Sequence, residues 1–441
     1  MKNFTYAQAT GYLDKCLIFG IKPGLSRIKK ILDMLGYPKI KTDFIHIVGT
    51  NGKTSTTVIT AAILQEHGIR CGYHISPHIT EYTERLWYCG SQIKKVRFAK
   101  LLSDLFPLIE DVNATDPEGP MTQFEIIAAM AFKLAIDENL DVMVLEAGMG
   151  GRWDATNAAC SKIAGLTNVS LEHTAVLGKT IKKIAIEKSK VIKHGAKVAT
   201  LSNDEKVLEV LRNEVCATKS RLYIYGADFY IMHQEKNYLK GWEVQIKGIF
   251  SEYKNLFLPL AGNYQPQNLC LAVALSELYM HSLGRDVSSE LLKPALKKAR
   301  IKGRFQVLRK EPVVIADTSH NPGGIKNFVK NINENFKTNK KIIIFSVLKD
   351  KDYKKMLEAV CGIADVLILT SSNVARSLDP GAIENLFYKL RDSKSLVSKK
   401  MPGEVIKMDS ISNSLNYALN TAGINDIICI TGSITNLENI V

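Results

Sequence analysis

A glycine-rich heptapeptide, Gly49-Thr50-Asn51-Gly52-Lys53-Thr54-Ser55, separates an apolar run, Phe44 to Val48, from a segment of helical spacing, Ser55 to Glu66, that stops before Gly68. A short apolar run that ends at glycine reads as a buried strand, and the periodic segment reads as the helix that follows it. A strand feeding a helix through a glycine turn is the unit from which layered α/β folds are built. The turn also has a chemical meaning. N–H groups at the start of a helix point outward and carry partial positive charge, so they hold phosphate oxygens. Glycines let the backbone approach a ligand without a Cβ. Lys53 stands where a side chain reaches terminal phosphates, and the hydroxyl of Thr54 or Ser55 where one reaches Mg²⁺. The glycine that opens the full Walker pattern would fall at Ile47, so the match is partial. The plain alternative, a glycine turn with a stray lysine, is disfavoured by the strand and helix on either side. No Asn-Lys-x-Asp follows a later strand, which argues against a GTPase.

The same alternation continues along the chain. Phe124 to Ile136 is apolar on all sides and reads as a buried helix. Val142 to Leu145 reads as a strand that opens onto Glu146 and a glycine-rich turn, and Ile163 to Thr167 as another strand. Tyr223 to Leu260 alternates with period two and predicts a β-meander. A second α/β set follows, with strands at Val313 to Ala316, Lys341 to Val347, Val366 to Leu369 and Ile427 to Ile430, and a helix over Gly323 to Asn335. The basic stretch Lys297 to Arg304, which holds Gly303, separates the two sets. A chain of 441 residues suits two or three cores. The expected organisation is an ATP-binding domain over 1–301 and a smaller Rossmann-like α/β domain over 302–441.

Composition narrows the function classes. No apolar run approaches the ~18 residues of a membrane span, and Met1 to Leu13 lacks the basic and apolar regions of a secretory leader. The eight cysteines are scattered with no Cys-x-x-Cys pair, so neither a zinc site nor a disulfide framework is expected, and a reducing cytoplasm fits. The net charge of +14 would suit nucleic acid, but also anionic small substrates. Its densest part, Lys179 to Lys193, reads as the polar face of an amphipathic helix rather than a binding groove, so no nucleic-acid partner is expected.

Polar residues gather at predicted strand ends, where open α/β sheets place their sites. Ser76-Pro77-His78 follows the strand-like Gly72 to Ile75, and Thr122-Gln123-Phe124-Glu125 opens the buried helix. Glu146 ends a strand and is followed by Gly148, Gly150, Gly151 and Arg152, then Asp154-Ala155-Thr156-Asn157; His173 lies beyond the next strand. Each alone has an ordinary explanation as a cap, a turn or a solvated surface group. Together, hard oxygen ligands and an imidazole suit Mg²⁺ beside ATP.

These motifs, in this order, resemble folylpolyglutamate synthase and the bifunctional dihydrofolate synthase/folylpolyglutamate synthase of the Mur ligase superfamily. The resemblance runs from the phosphate loop through Ser76-Pro77-His78, Glu84-Arg85, Phe124-Glu125, Glu146 to Asn157, His173-Thr174 with Leu177-Gly178, Glu187-Lys188, Gln267-Asn268, Gly303-Arg304-Phe305, Asp317 to Pro322 and Lys349 to Asp352, and ends at Thr431-Gly432-Ser433. It implies an N-terminal P-loop ATPase domain of the Mur ligase type that also binds the pterin, and a C-terminal glutamate ligase domain. It implies that Ser76, Glu146 and His173 ligate two Mg²⁺ ions, and that the loop from Gly49 to Ser55, with Asn268, Arg304 and Asp317, binds ATP. It further implies that Thr122, Gln123, Phe124, Glu125, Trp153, Asp154 and Ala155 line the pterin site, and that His320 and Ser433 lie near the incoming glutamate. Lys188 matches a lysine carried as a carbamate, which forms from a neutral amine. Lys53, Glu146, His173 and Lys188 are the implied catalytic set. Thr54, Gln123, Trp153, Ser319 and Gly323 depart from the usual folate-enzyme pattern, and Gly-Lys-Thr is closer to the peptidoglycan enzymes.

The expected reaction is therefore ATP-dependent amide formation through an acyl phosphate, in a cytoplasmic monomer with no membrane partner. The substrates would be ATP, L-glutamate and a reduced folate or dihydropteroate. The alternative acceptor is a cell-wall precursor or another carboxylate. A nucleic-acid-stimulated ATPase and a silent binding module are the rivals from other classes; the intact phosphate loop and Glu146 argue against the second.

Overall fold

The computed structural model describes residues 3–20, 22–37, 41–337, 339–392, 400–438 and 440. The chain forms two compact units. The first takes Met1–Glu235, Glu243–Leu258 and Pro266–Arg300; the second takes Lys236–Trp242, Pro259–Gln265 and Ile301–Val441.

In the first unit the strands, in chain order, are β1 (Asp43–Val48), β2 (Cys71–His74), β3 (Leu86–Tyr88), β4 (Ser91–Gln92), β5 (Val142–Glu146), β6 (Ile163–Leu166), β7 (Lys197–Thr200) and β8 (Arg221–Ile224). Among the described residues they make one eight-stranded sheet in the order β4-β3-β2-β5-β1-β6-β7-β8. From β2 to β8 the neighbours are parallel, and β3 and β4 close one edge antiparallel. All five residues of β5 are buried, as is β1 beyond its first residue, because helices cover both faces.

On one face lie α1 (Tyr6–Lys15), α2 (Ser26–Met34), α4 (Lys95–Thr115) and α5 (Gln123–Asp137), which share a core built on Leu13, Ile31, Phe98, Leu105, Phe132 and Met143. Between them in sequence is α3 (Lys53–Glu66), the helix after the phosphate loop. On the other face, beyond the four-residue α6 (Thr174–Leu177), α7 (Ile181–Ser189) and α8 (Glu205–Ala217) bury Ala185, Val207 and Leu211 against Val48, Leu166 and Val198. The predicted meander is divided. Arg221 to Ile224 adds to β7 as a parallel edge strand, because α8 returns the chain in the same direction. Only β9 (Tyr230–Asn237), β10 (Gly241–Lys247) and β11 (Glu252–Leu258) form the separate sheet. Helices α9 (Gln265–Ser282) and α10 (Ser289–Lys298) follow, and α10 packs on α3.

The second unit has strands β12 (Gln306–Lys310), β13 (Val313–Ala316), β14 (Lys341–Phe345), β15 (Val366–Leu369), β16 (Glu404–Lys407) and β17 (Ile427–Thr431), ordered β12-β13-β17-β14-β15-β16. All pairs are parallel except β12 with β13. Helix α11 (Pro322–Asn335) starts one residue before the expected Gly323, because proline suits the first helical turn and Asn321 caps it, accepting from the Gly324 N–H at 2.7 Å. Among the described residues no helix is long and apolar enough to cross a membrane.

The entry into α5 shows how the first unit is locked. Thr122 and Glu125 form a reciprocal cap: the Glu125 N–H donates to Thr122 Oγ1 at 3.3 Å, and the Thr122 N–H to Glu125 Oε2 at 2.8 Å. Glu125 Oε1 also accepts from Arg27 Nε at 2.9 Å, and Arg27 Nη1 donates to Glu118 Oε2 at 2.6 Å. Arg27 is 1% exposed and Glu125 is 5% exposed, so this is a buried pair with its donors and acceptors engaged. Removing one partner strands the other charge. Arg27→Met is expected to lower unfolding stability by about 3–5 kcal/mol. Adding Glu125→Gln should recover part of that loss, as read from urea denaturation midpoints of the two variants.

Candidate active site

The phosphate loop is held from beneath by the loop after β6. The Thr50 N–H donates to the Asn168 carbonyl at 2.9 Å, the Asn51 N–H to Asn168 Oδ1 at 3.0 Å, and the Ser170 N–H to Thr50 Oγ1 at 3.0 Å. The amides of Thr50 and Asn51 are thus tied to the scaffold, and the helix start at Gly52 to Ser55 is what remains to meet phosphates. Gly52 is the N-cap of α3 and has no side chain to satisfy the first-turn N–H groups. Its φ of 91° favours glycine, and a Cβ there would stand 2.5 Å from Asn268 Oδ1. Asn268, at the start of α9, is therefore set directly against the loop.

Charged groups converge on one carbonyl. Gly49 O accepts from Lys53 Nζ at 3.1 Å and from Lys188 Nζ at 2.8 Å; Lys53 also donates to Thr50 O at 3.1 Å. Lys188 is 1% exposed, and its second partner is Glu172 Oε1 at 2.8 Å. Burial pulls the Lys188 amine down and Glu172 pulls it back up, with a net lowering. Burial would raise Glu172, but the charges of Lys188 and Lys53 outweigh it and hold the carboxyl at about 2.

Across the loop, Glu146 ends β5, buried at 2% exposure. Its Oε1 accepts from Thr54 Oγ1 at 3.0 Å and its Oε2 from the Ser76 N–H at 3.3 Å. Thr54, the threonine of the Gly-Lys-Thr departure, is thereby bonded to the Glu146 carboxylate, and Ser55 is buried in α3. Ser76 is half-buried. His173 is exposed, with left-handed backbone (φ 44°, ψ 39°), at the start of α6.

The glycine-rich turn after β5 is fixed by Asp154. Its Oδ2 accepts from the Met149 N–H at 2.8 Å, and its Oδ1 from the Thr156 N–H at 3.1 Å and from Thr156 Oγ1 at 2.5 Å. Since the Thr156 hydroxyl donates to Asp154, it accepts from His46 Nε2 at 2.8 Å, which puts the His46 hydrogen on Nε2. Asp154, expected in the substrate site, is 6% exposed and holds the turn. Gly151 lies so close to α7 that a Cβ would stand 2.7 Å from Glu187 O and 2.8 Å from Lys188 O. Phe124 packs on Gly148, where a Cβ would stand 2.7 Å from its ring. Trp153 is 51% exposed beside this turn in sequence, while Ala155 is buried in the core with α5. Glu125 is engaged by Arg27, and Gln123 Nε2 donates to Leu13 O at 3.3 Å and Tyr82 Oη at 2.5 Å. Among the expected pterin-site residues, Phe124 and Trp153 are those with side-chain surface to offer a planar ligand.

In the second unit Asp317 follows β13 and is 2% exposed. It accepts from the Phe305 and Ser319 N–H groups, both at 2.9 Å; burial raises its pKa and these bonds oppose the rise. Arg304 donates to Thr318 Oγ1 at 2.8 Å, and His320 Nδ1 meets Thr318 O at 2.9 Å. Ser433, after β17, is buried and pairs with Thr435 Oγ1 at 2.8 Å; the Gly432 N–H donates to Ser319 O at 3.1 Å. His320 and Ser433 thus belong to adjacent strand-end loops of one sheet. Sequence reading missed Glu172, Asn168 and Arg27. The signal for Glu172 was present as a carboxylate directly before His173.

Residues 47–276 match the Mur ligase middle domain, and residues 303–434 match the Mur ligase glutamate ligase domain. The chain is 30% identical over 442 residues to a dihydrofolate synthase/folylpolyglutamate synthase of Bacillus subtilis (strain 168), covering 99% of this chain and 98% of that protein. It is 31% identical over 376 residues to the protein of the same name from Mycobacterium tuberculosis, covering 82% of this chain and 77% of that one. The solved structure of Mycobacterium tuberculosis folylpolyglutamate synthase complexed with ADP superposes with a TM-score of 0.89 at 28% identity, covering 98% of this chain and 97% of that chain.

His46 carries a pH signature. It is fully buried and held to about 3 by burial, with the charge of Lys193 adding to the fall. Its folded pKa lies below the unfolded value of 6.5, so the unfolded chain binds more protons between the two. The stability it contributes is complete above 6.5 and falls as pH drops toward about 3. His46→Gln, which keeps an N–H for Thr156 and does not titrate, should flatten the slope of unfolding free energy against pH across that window. Chemical denaturation at a series of pH values measures it. Gly151→Ala should destabilise by about 1–3 kcal/mol through overpacking against α7, read as a lowered denaturation midpoint.

Proposed function

This chain belongs to the Mur ligase family, in the branch of the dihydrofolate synthases/folylpolyglutamate synthases, and from that membership we propose that it is an ATP-dependent ligase joining L-glutamate to the carboxylate of a folate. The observation that carries the reading is the pairing of a helix N-terminus and Lys53 with a buried carboxylate, Glu146, bonded to Thr54 on the first turn of that helix. Phosphate-binding and metal-binding chemistry thus meet at the first turn of α3. Relatives named for folate substrates support a folate acceptor over a cell-wall precursor.

In this reading the folate carboxylate attacks the terminal phosphorus of ATP, giving an acyl phosphate and ADP. The amine of glutamate then attacks the acyl carbon, the C–N bond forms, and phosphate leaves. Lys53 rests on two carbonyl oxygens and turns to the phosphate oxygens, where its charge and the α3 N–H groups offset the negative charge on the transferring group. The donor set fits Mg²⁺: a buried carboxylate beside two hydroxyl-bearing residues supplies hard oxygen. Ser76, Glu146 and His173 would hold it, and when bound it would neutralise phosphate charge. We assign Phe124 and Trp153 to the pterin and His320 and Ser433 to the glutamate. Both dihydropteroate and reduced folate are proposed as acceptors, in a cytoplasmic monomer. For Lys188, burial favours the neutral amine that carbamylation requires, while the Glu172 partner favours the ammonium.

The test is phosphate release from Mg-ATP by the purified protein with L-glutamate and either dihydropteroate or tetrahydrofolate. Release should need both glutamate and the pterin substrate; release indifferent to both would sink the proposal. Glu146→Ala should lower kcat by at least about 10³-fold, the scale of losing a principal electrostatic group, while its thermal unfolding stays close to that of the parent.

A further inference from the structure

Arg85 is a buried cation without a carboxylate partner, in the part of the first unit proposed to hold the acceptor substrate. The residue is 7% exposed, and burial lowers its guanidinium only to about 10, so it stays charged at neutral pH. Its Nε donates to His78 Nδ1 at 2.8 Å, which leaves the His78 hydrogen on Nε2. Among the described residues no carboxylate lies within ion-pair distance of Arg85, and neither its terminal nitrogens nor His78 Nε2 has a hydrogen-bond partner. The two carboxylates whose charge reaches it are engaged elsewhere. Asp14 Oδ1 accepts from Tyr82 Oη at 2.5 Å, and Glu84 accepts from the Ile79 and Thr80 N–H groups at 2.8 and 3.2 Å. Tyr82 offers its ring: the guanidinium stands 5.3 Å from the ring centroid, and the His78 ring centroid 4.4 Å from it.

Hydrogen bonds tie this group to both halves of the proposed site. The Ile75 N–H donates to Arg85 O at 3.1 Å, next to Ser76, and Gln123 Nε2, at the start of α5 beside Phe124, donates to Tyr82 Oη. A buried guanidinium is costly unless a counter-charge meets it, and its planar fork matches a carboxylate. Only donors are left unused here, so the ligand they suit is an anion. The proposed acceptors differ in that respect. Dihydropteroate carries one carboxylate, the one that reacts. Tetrahydrofolate ends in glutamate and carries a second carboxylate that does not react. We propose that Arg85, with His78 Nε2, binds the non-reacting carboxylate at the glutamyl end of the folate, and so selects for acceptors that already carry glutamate. The inference rests on the ligase reading and goes beyond it in assigning the acceptor's tail.

The test compares the two acceptors in the parent, Arg85→Gln and Arg85→Lys. Glutamine keeps an N–H for His78 without the charge. Arg85→Gln should lose at least about tenfold more kcat/KM with tetrahydrofolate than with dihydropteroate, with the excess in KM, the pattern of lost binding rather than lost chemistry. Arg85→Lys, which keeps the charge without the fork, should fall between parent and Gln, and it serves where the Gln variant does not fold. Equal losses with both acceptors, as a structural role would give, would overturn the proposal. So would no loss, a larger loss with dihydropteroate, or a parent that turns over dihydropteroate alone. In a parent that takes tetrahydrofolate alone, the rise in its KM should exceed any rise in KM for ATP by the same factor, and parallel rises overturn the assignment. A parent that releases no phosphate with either acceptor counts against the ligase reading. Calorimetric binding of the two pterins in the presence of ADP then decides this inference: a preference for tetrahydrofolate that Arg85→Gln loses supports it, and a preference kept, or no binding, overturns it.

Discussion

The carbonyl oxygen of Gly49 accepts from Lys188 at 2.8 Å and from Lys53 at 3.1 Å, and its peptide begins the phosphate loop. With the oxygen held by ammonium groups, the chain beyond it is turned so that the start of α3 is the part left to receive an anion. The next two amides are fixed by Asn168, so the loop is clamped on both sides before any nucleotide arrives. Preorganisation of this kind lets dipoles and charges act on a developing phosphoryl charge without reorganising at the moment of reaction. The glycines at 49 and 52 are required because side chains from the loop after β6 and from α9 approach where a Cβ would stand.

The turn after β5 obeys the same logic with different atoms. Asp154 accepts from the backbone of the turn and from Thr156, and Thr156 in turn accepts from His46 in β1. A hydrogen-bonded chain therefore links the central strand to the glycine-rich turn. The turn lies against Phe124 on one side and the last turn of α7 on the other. Strands β1 and β5 are neighbours in register, so the phosphate loop and Glu146 emerge at the same sheet edge. Helix α7, which carries Lys188, is fixed to that edge by its close approach to Gly151. Residues far apart in sequence are brought to one place by parallel pairing and by contacts too tight for any side chain larger than hydrogen.

Much of this was legible in the chain itself. Short apolar runs marked β1, β5 and β6, the first stopping at Gly49 and the second opening onto a glycine-rich turn, and the all-round apolar character of Phe124 to Ile136 marked α5. These signals are local, set by side-chain periodicity. The short edge strands β3 and β4 and the helix α2 escaped, because two or three residues carry no period and Arg27 lies buried where a charge is not expected. The meander was misjudged at β8 for a related reason: strand composition does not say which neighbour a strand will choose.

By itself the sequence determined the α/β class, the phosphate loop and the residue types that suit ATP and Mg²⁺, because glycine spacing and hydrophobic period act within a few residues. The tertiary structure alone decided which polar groups face each other. Asp154 and Glu125, which look like ligands in the sequence, are engaged by the Met149 amide and by Arg27, while Glu172, which sequence passed over, is paired with the buried Lys188. A carboxylate has the same composition whether it binds a substrate or holds a loop. Its partners across the fold set its role, and those partners come from strand order and helix packing over separations no local pattern records.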